Sequence, residues 1–283
     1  MPPDPHPQPP GGDDVTDASR IYILPNLFTA GNLFFGFMAI IWSIRARYGD
    51  EPGMVPAELY TEAVWFIFAA GVCDLFDGRV ARLGGRESLF GKEFDSIADT
   101  VSFGMAPALL VFLLILSPTE SYPFFRQIGG FVGFVFLLCA AVRLARFNVL
   151  TNPYIPGSAE HQKATDDFRG LPAPAAAITI ASIVLVMLEW DVPGKWNLGL
   201  PILLILIAGL MVSNIPYPAF KHIDWNTRLR VGSFLMAIML IAVVFFLRQF
   251  SLAVIALGYI AYGLFRAGGG QLKQRKSRPN AAE

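Results

Sequence analysis

Apolar stretches too long for a soluble core dominate this chain and fix what it can become. They run from about Pro25 to Ile44, Leu59 to Phe76, Asp95 to Leu116, Ile128 to Ala145, Ala173 to Leu188, Leu198 to Ser213, Val231 to Leu247 and Leu252 to Phe265. Seven of these are about 16 to 22 residues long, enough for a helix to cross a hydrocarbon core about 30 Å thick, and the last is nearer 14. A backbone in lipid must satisfy its own hydrogen bonds, which a helix does and an open strand does not. The expected fold is therefore all-α, a polytopic membrane helical bundle of about eight transmembrane helices. The 54% hydrophobic content and mean hydropathy of +0.50 agree with that class.

The flanking segments set boundaries and orientation. Residues 1–19 hold six prolines and four aspartates and no basic stretch ahead of an apolar core, so they read as a disordered cytosolic tail rather than a signal peptide. Residues 20–266 form the transmembrane domain. Residues 267–283 begin in glycines, carry Lys273, Arg275, Lys276 and Arg278, and read as a flexible basic tail against anionic lipid. With eight spans both termini share a side, and 17 of the 22 lysines and arginines lie on it. The positive-inside rule places that side, and residues 78–94 between the second and third blocks, in the cytosol. The expected location is the cell (inner) membrane. Zero net charge and no aromatic-basic pattern argue against nucleic acid. Cys73 and Cys139 sit in apolar blocks and read as small buried hydrophobes, and His6, His161 and His222 lack metal-ligand spacing.

Charge inside or beside membrane spans marks function, and the carboxylates here are concentrated. Asp74 and Asp77 stand three apart and Asp95 and Asp99 four apart, so on helices each pair shares a face. Two such helix ends side by side would converge four carboxylates. Their mutual repulsion calls for a cation, and hard oxygen donors suit Mg²⁺ or Mn²⁺. Gly78 and Gly91 leave room for backbone or ligand, Ala81 keeps the surface shallow, and Arg82 offers a planar fork of donors to phosphate. Together they describe a pyrophosphate site. The bland alternative is a solvated charged loop between two helices.

The spacing D-x2-D-G-x2-A-R-x8-G-x3-D-x3-D, with eight specified residues over twenty-six positions, resembles the signature of the CDP-alcohol phosphatidyltransferases. These are membrane enzymes that move a phosphatidyl-type group from a CDP-linked donor to an alcohol. The resemblance implies two metals on Asp74, Asp77, Asp95 and Asp99, a nucleotide lined by Gly78, Ala81, Arg82 and Gly91, and Asp99 as the base that takes the acceptor's proton. It also implies a homodimer embedded among membrane lipids.

Other runs bear on the acceptor. Asn26, Thr29 and Asn32 recur every third residue as a polar stripe on the first block, suited either to interhelical hydrogen bonds or to substrate contact. Asn32 stands where many relatives place an arginine. Ser102 follows Asp99 by about a turn within Ser-Phe-Gly-x-Ala-Pro, whose Pro107 should kink the helix or loosen its ladder. Arg143 and Arg146 share a face ahead of Asn148 and could snorkel to headgroups or hold an anionic substrate group. The polar segment that follows, with Lys163 and Arg169, ends in Phe-Arg-Gly-Leu-Pro-Ala-Pro and leads into the fifth block. These runs are similar to the family's serine-accepting branch, which implies CDP-diacylglycerol as donor and L-serine as acceptor. Inositol, choline or glycerol phosphate is the alternative acceptor within the family. A transporter would instead place its ionisable groups near the midplane in repeated halves, which this chain does not.

Overall fold

The computed structural model describes residues 23–49, 55–84, 89–116, 125–151, 167–190, 199–218 and 249–276. Its elements are α1 (Ile23–Tyr48), α2 (Pro56–Gly84), α3 (Leu89–Asp99), a π-helical turn Thr100–Met105, α4 (Ala106–Val111), a second π-helical stretch Phe112–Leu116, α5 (Phe125–Thr151), β1 (Asp167–Arg169), α6 (Ala173–Glu189), α7 (Gly199–Val212), β2 (Pro216–Pro218) and α8 (Gln249–Lys276). Four segments are long and apolar enough to cross a membrane: Asn26–Tyr48, Pro56–Gly78, Phe90–Leu116 and Ile128–Leu150. Three shorter apolar helices, Ala173–Glu189, Gly199–Val212 and Phe250–Arg266, coincide with three further expected blocks. The block Val231–Leu247 lies outside the described residues.

The bundle is apolar on both its inner and its outer surface, as lipid requires. Along α5, Phe131, Phe134, Leu138 and Val142 recur at helical spacing on the outer face and are all exposed. α6 is the central post: Ala173, Ala176, Ala177, Ile180, Ala181 and Val184 are fully buried, and their small size lets neighbouring helices approach. α1 and α2 pack as an antiparallel pair through Ala39, Ile40, Ala63, Val64 and Ile67. Away from the acidic motif their ends are tied by a hydrogen bond from Trp42 Nε1 to Glu62, with Arg45 over the Trp42 ring. Hydroxyls away from the acidic motif donate to backbone carbonyls of their own helices, as in Ser43 to Ala39 at 2.7 Å and Thr179 to Ala175 at 2.7 Å.

The third span holds the expected irregularity. Pro107 has no N–H to donate, and the turn before it widens to a π-helix in which the Ala106 N–H reaches Val101 O. The wide turn starts at Thr100, directly after Asp99, and buries Ser102, Phe103 and Gly104.

Two expectations are corrected. Residues 78–94 were expected to form the loop that joins the acidic pairs, but α2 runs on to Gly84 and α3 starts at Leu89. Arg79, Val80, Ala81, Arg82 and Leu83 are competent helix formers, and charge alone does not end a helix that is leaving the bilayer. Asp74 and Asp77 therefore project from the interior of α2 rather than from its end, while Asp99 closes α3 where the π-helical turn takes over. The triglycine 268–270, expected to begin a flexible tail, is instead carried within α8, which extends to Lys276.

A small ribbon was not foreseen. β1 and β2 pair antiparallel with Phe168 opposite Tyr217, and so join the segment before α6 to the segment after α7. Gly170 makes this junction possible: at φ +85° it bonds its N–H to Ile215 O at 2.9 Å, and a Cβ there would lie 2.3 Å from Met211 O.

Candidate active site

α2 and α3 bring three carboxylates together. Oxygens of Asp74, Asp95 and Asp99 lie within 4.8 Å of one another, with Asp99 only 6% exposed. Asp77 is also buried, one turn from Asp74, and accepts a hydrogen bond from Thr29 Oγ1 at 3.2 Å. The geometry thus makes a tight group of three with a fourth carboxylate beside it. Three negative groups so close, partly out of water, repel strongly without a counter-ion. An all-oxygen donor set of this spacing fits a hard divalent cation.

α1 supplies the polar wall of the site. Asn32 is fully buried and donates from Nδ2 to Asp99 Oδ1 at 3.0 Å, while its own backbone carbonyl accepts from Ser102 Oγ at 2.9 Å. Asn32 Oδ1 is buried and has no hydrogen-bond partner among the described residues. The approach of α1 to the π-turn depends on Gly36, where a Cβ would sit 2.1 Å from Ser102 Oγ and 2.6 Å from its Cα. The polar stripe thus faces the interior and orients two of the four motif carboxylates, Asp77 and Asp99.

The arginine side is built by α5. Arg143 lies within electrostatic reach of Asp99 and Asp74, and its guanidinium carbon is 5.9 Å from the Phe147 ring centre. Arg146 turns to a different partner, donating to Asn214 Oδ1 at 2.8 Å, so the two arginines divide their roles. Asn148 donates to Ser96 Oγ at 2.8 Å, and Ser96 in turn donates to Lys92 O at 3.1 Å. Asn148 therefore ties α5 to α3 beside the carboxylates.

The remaining motif positions frame an opening. A Cβ on Gly78 would meet nothing within 4 Å, leaving space next to Asp77. Gly91 lies on α3 one turn before Asp95. Ala81 and Arg82 continue α2, and their side chains lie outside the described residues, as does Lys163; Arg169 is placed only by its backbone in β1. Cys73 and Cys139 are both free. Sequence reading did not single out Asn214, the partner of Arg146, or Tyr259, an electrostatic neighbour of Arg143, because both lie far along the chain from the acidic motif. The polar and aromatic residues of Asn214-Ile-Pro-Tyr217 between apolar blocks were the available signal.

A carboxylate group of this spacing in a bundle of lipid-length apolar helices marks an integral membrane protein with an acidic site able to hold a divalent cation. A model of the CDP-alcohol phosphatidyltransferase family matches residues 22–212, and the chain belongs to that family. Among its relatives, it is 37% identical over 251 residues to the CDP-diacylglycerol–serine O-phosphatidyltransferase of Helicobacter pylori strain J99, covering 87% of this chain and 91% of the relative. It is 34% identical over 224 residues to the enzyme of the same name from Saccharomyces cerevisiae, covering 76% and 68%. It is 32% identical over 206 residues to the archaetidylserine synthase of Methanothermobacter thermautotrophicus, covering 72% and 73%.

Proposed function

We propose that this protein transfers the phosphatidyl group of CDP-diacylglycerol to the hydroxyl of L-serine and releases CMP. The observation that carries the reading is the pairing of the Asp74, Asp95 and Asp99 group with the buried Asn32 and Ser102 wall, in a chain whose serine-using relatives align over most of its length.

Serine Oγ attacks the phosphorus that bears the diacylglycerol, the new P–O bond forms, and the bond to the CMP oxygen breaks with its electron pair leaving on CMP. Asp99 takes the hydroxyl proton, and the hydrogen bond from Asn32 holds its carboxylate in one rotamer so that the free oxygen faces the acceptor. Arg143, facing the same carboxylates, receives the anionic end of the acceptor, and Gly78 leaves the opening for the nucleotide. A divalent ion, Mg²⁺ or Mn²⁺, held by Asp74, Asp95 and Asp99, with Asp77 beside them and room for a second, would supply positive charge against the pyrophosphate when bound.

Between α1 and the π-turn runs an apolar groove of about 560 Å³, lined by Ala30, Leu33, Phe34, Phe37, Ile40, Val101 and Met105. Leu33 and Val101 adjoin Asn32 and Ser102 in sequence, so the groove lies on the same two elements that carry the polar wall of the site. It suits the donor's acyl chains.

The site face is assigned to the cytosol. The C-terminal end of α6 and the start of α8 meet where Trp190 and Phe250 lie 4.7 Å apart, while Tyr259, farther along α8, packs on Tyr217 of the ribbon. α8 therefore runs toward the site face, and its basic C-terminal end, by the positive-inside rule, supports a cytosolic site.

Purified protein supplied with CDP-diacylglycerol and Mg²⁺ or Mn²⁺ should release CMP when serine is added and stop when a chelator is added. Serine-independent release, or release unaffected by chelation, would overturn the reading.

A further inference from the structure

Two of the clustered carboxylates, Asp95 and Asp99, belong to the end of α3, which gives way at once to the π-helical turn Thr100–Met105. A helix end has carbonyls that need partners, and like charges within 4.8 Å push α2 and α3 apart. Ser96, between the two carboxylates in sequence, gathers hydrogen bonds that hold this turn. Its Oγ donates to Lys92 O at 3.1 Å and accepts from Asn148 Nδ2 at 2.8 Å, and its carbonyl accepts from Thr100 Oγ1 at 2.7 Å. A hydroxyl donates and accepts at once, which an aliphatic side chain cannot do. The bonds to Lys92 and Thr100 stay within the third span, whereas the bond from Asn148 crosses from α5. Asp99 is held from α1 by Asn32 at 3.0 Å, so the end of α3 is gripped by helices α1 and α5. Rotation of α3 about its axis that carries Asp95 away from Asp74 also moves Ser96, its neighbour in the chain, and stretches the 2.8 Å bond.

We propose that Asn148 is a positioning residue that, through Ser96, fixes the end of α3 so that Asp95 and Asp99 present their oxygens together with Asp74 to a divalent ion. Asn148 acts on the metal site without reaching the ion, because its amide nitrogen is engaged by Ser96. Groups that hold metal-binding side chains from behind change metal affinity by about 10- to 100-fold when they are removed. The inference rests on the proposed divalent-ion site and is independent of which alcohol accepts the phosphatidyl group.

The test is Mn²⁺ binding to full-length purified protein in micelles, with no substrate present and free Mn²⁺ followed by electron paramagnetic resonance. Asn148→Leu, which keeps the side-chain volume and loses the donor, should weaken Mn²⁺ binding about tenfold, and so should Ser96→Ala. The double variant should bind no more weakly than either single one, because both remove the same bond. Ser96→Thr keeps the hydroxyl at a half-buried position and should bind within twofold of wild type. Thermal unfolding without metal is read in parallel. A variant that is destabilised yet binds Mn²⁺ with wild-type affinity would make the bond merely structural and overturn the proposal, as would additive losses in the double variant. If Asn148→Leu does not fold, Ser96→Ala against Ser96→Thr decides the same question, and equal affinity in those two refutes it. Absence of Mn²⁺ binding by the wild-type protein would overturn the metal reading and this inference with it, whereas wild-type binding with unchanged affinity in the variants overturns this inference alone.

Discussion

Gly36→Ala should disable the site by moving a helix, without touching any group that meets substrate. The added methyl would lie 2.1 Å from Ser102 Oγ, 2.6 Å from its Cα and 2.7 Å from its Cβ. The hydroxyl can rotate away but the backbone cannot, and ordinary contact begins near 3.4 Å, so α1 and the π-turn must part by about 0.8 Å. Asn32 sits one turn earlier on α1, and the same displacement would stretch its 3.0 Å bond to Asp99 beyond hydrogen-bonding range. Overpacking of this kind costs about 1–3 kcal/mol, partly offset by the roughly 1 kcal/mol that alanine gains over glycine within a helix. A misplacement near 1 Å around reacting groups lowers turnover on the order of 100-fold. The assay is CMP release by purified variant in mixed micelles, with thermal unfolding followed by size-exclusion fluorescence. Gly130→Ala is the control, since a Cβ there meets nothing within 4 Å, and it should retain activity. Wild-type turnover in Gly36→Ala would refute the claim that the Asn32–Ser102 wall sets the position of Asp99.

Further outcomes follow from the same geometry. Asp95→Asn removes charge from the three-carboxylate group and should lower turnover at least about 10³-fold at saturating Mg²⁺ or Mn²⁺, whereas Thr29→Val, which only frees Asp77, should cost about tenfold; CMP release measures both. Arg143→Ala should raise the serine requirement far more than the donor requirement, and Arg143→Lys should rescue it poorly because an ammonium lacks the planar fork. Arg146→Ala and Asn214→Ala should resemble each other in paired kinetics, since each breaks the same 2.8 Å bond. A cysteine placed at Ser277 should react with a membrane-impermeant label only from the cytosolic side of oriented vesicles.

Much of this architecture is legible because lipid leaves a chain few choices. Apolar blocks long enough to span mark out helices directly, and seven of the eight expected blocks coincide with helices among the described residues. The pairing of Asp95 with Asp99 could be read because a helix fixes its own faces. Which carboxylates meet depends on how α2 crosses α3, and spacing holds no information on that; so the convergence of Asp74, rather than Asp77, with the α3 pair emerges only in three dimensions. The wide turn after Asp99 was foreshadowed by Pro107, whose missing N–H is a local fact. The ribbon was not, because Asp167–Arg169 and Pro216–Pro218 are three residues each and lie on either side of α6 and α7, with Phe168 meeting Tyr217 only across both helices. Their pairing depends on Gly170 adopting a conformation that composition does not announce.

The most direct test of the central claim is a competition in which the purified protein receives CDP-diacylglycerol with equimolar serine, inositol and glycerol 3-phosphate, and the lipid products are identified by mass spectrometry. The account predicts phosphatidylserine as the dominant product, formed only with a divalent metal and lost in Asp99→Asn. A different headgroup in the dominant product, or phosphatidylserine formed undiminished by Asp99→Asn, would contradict it.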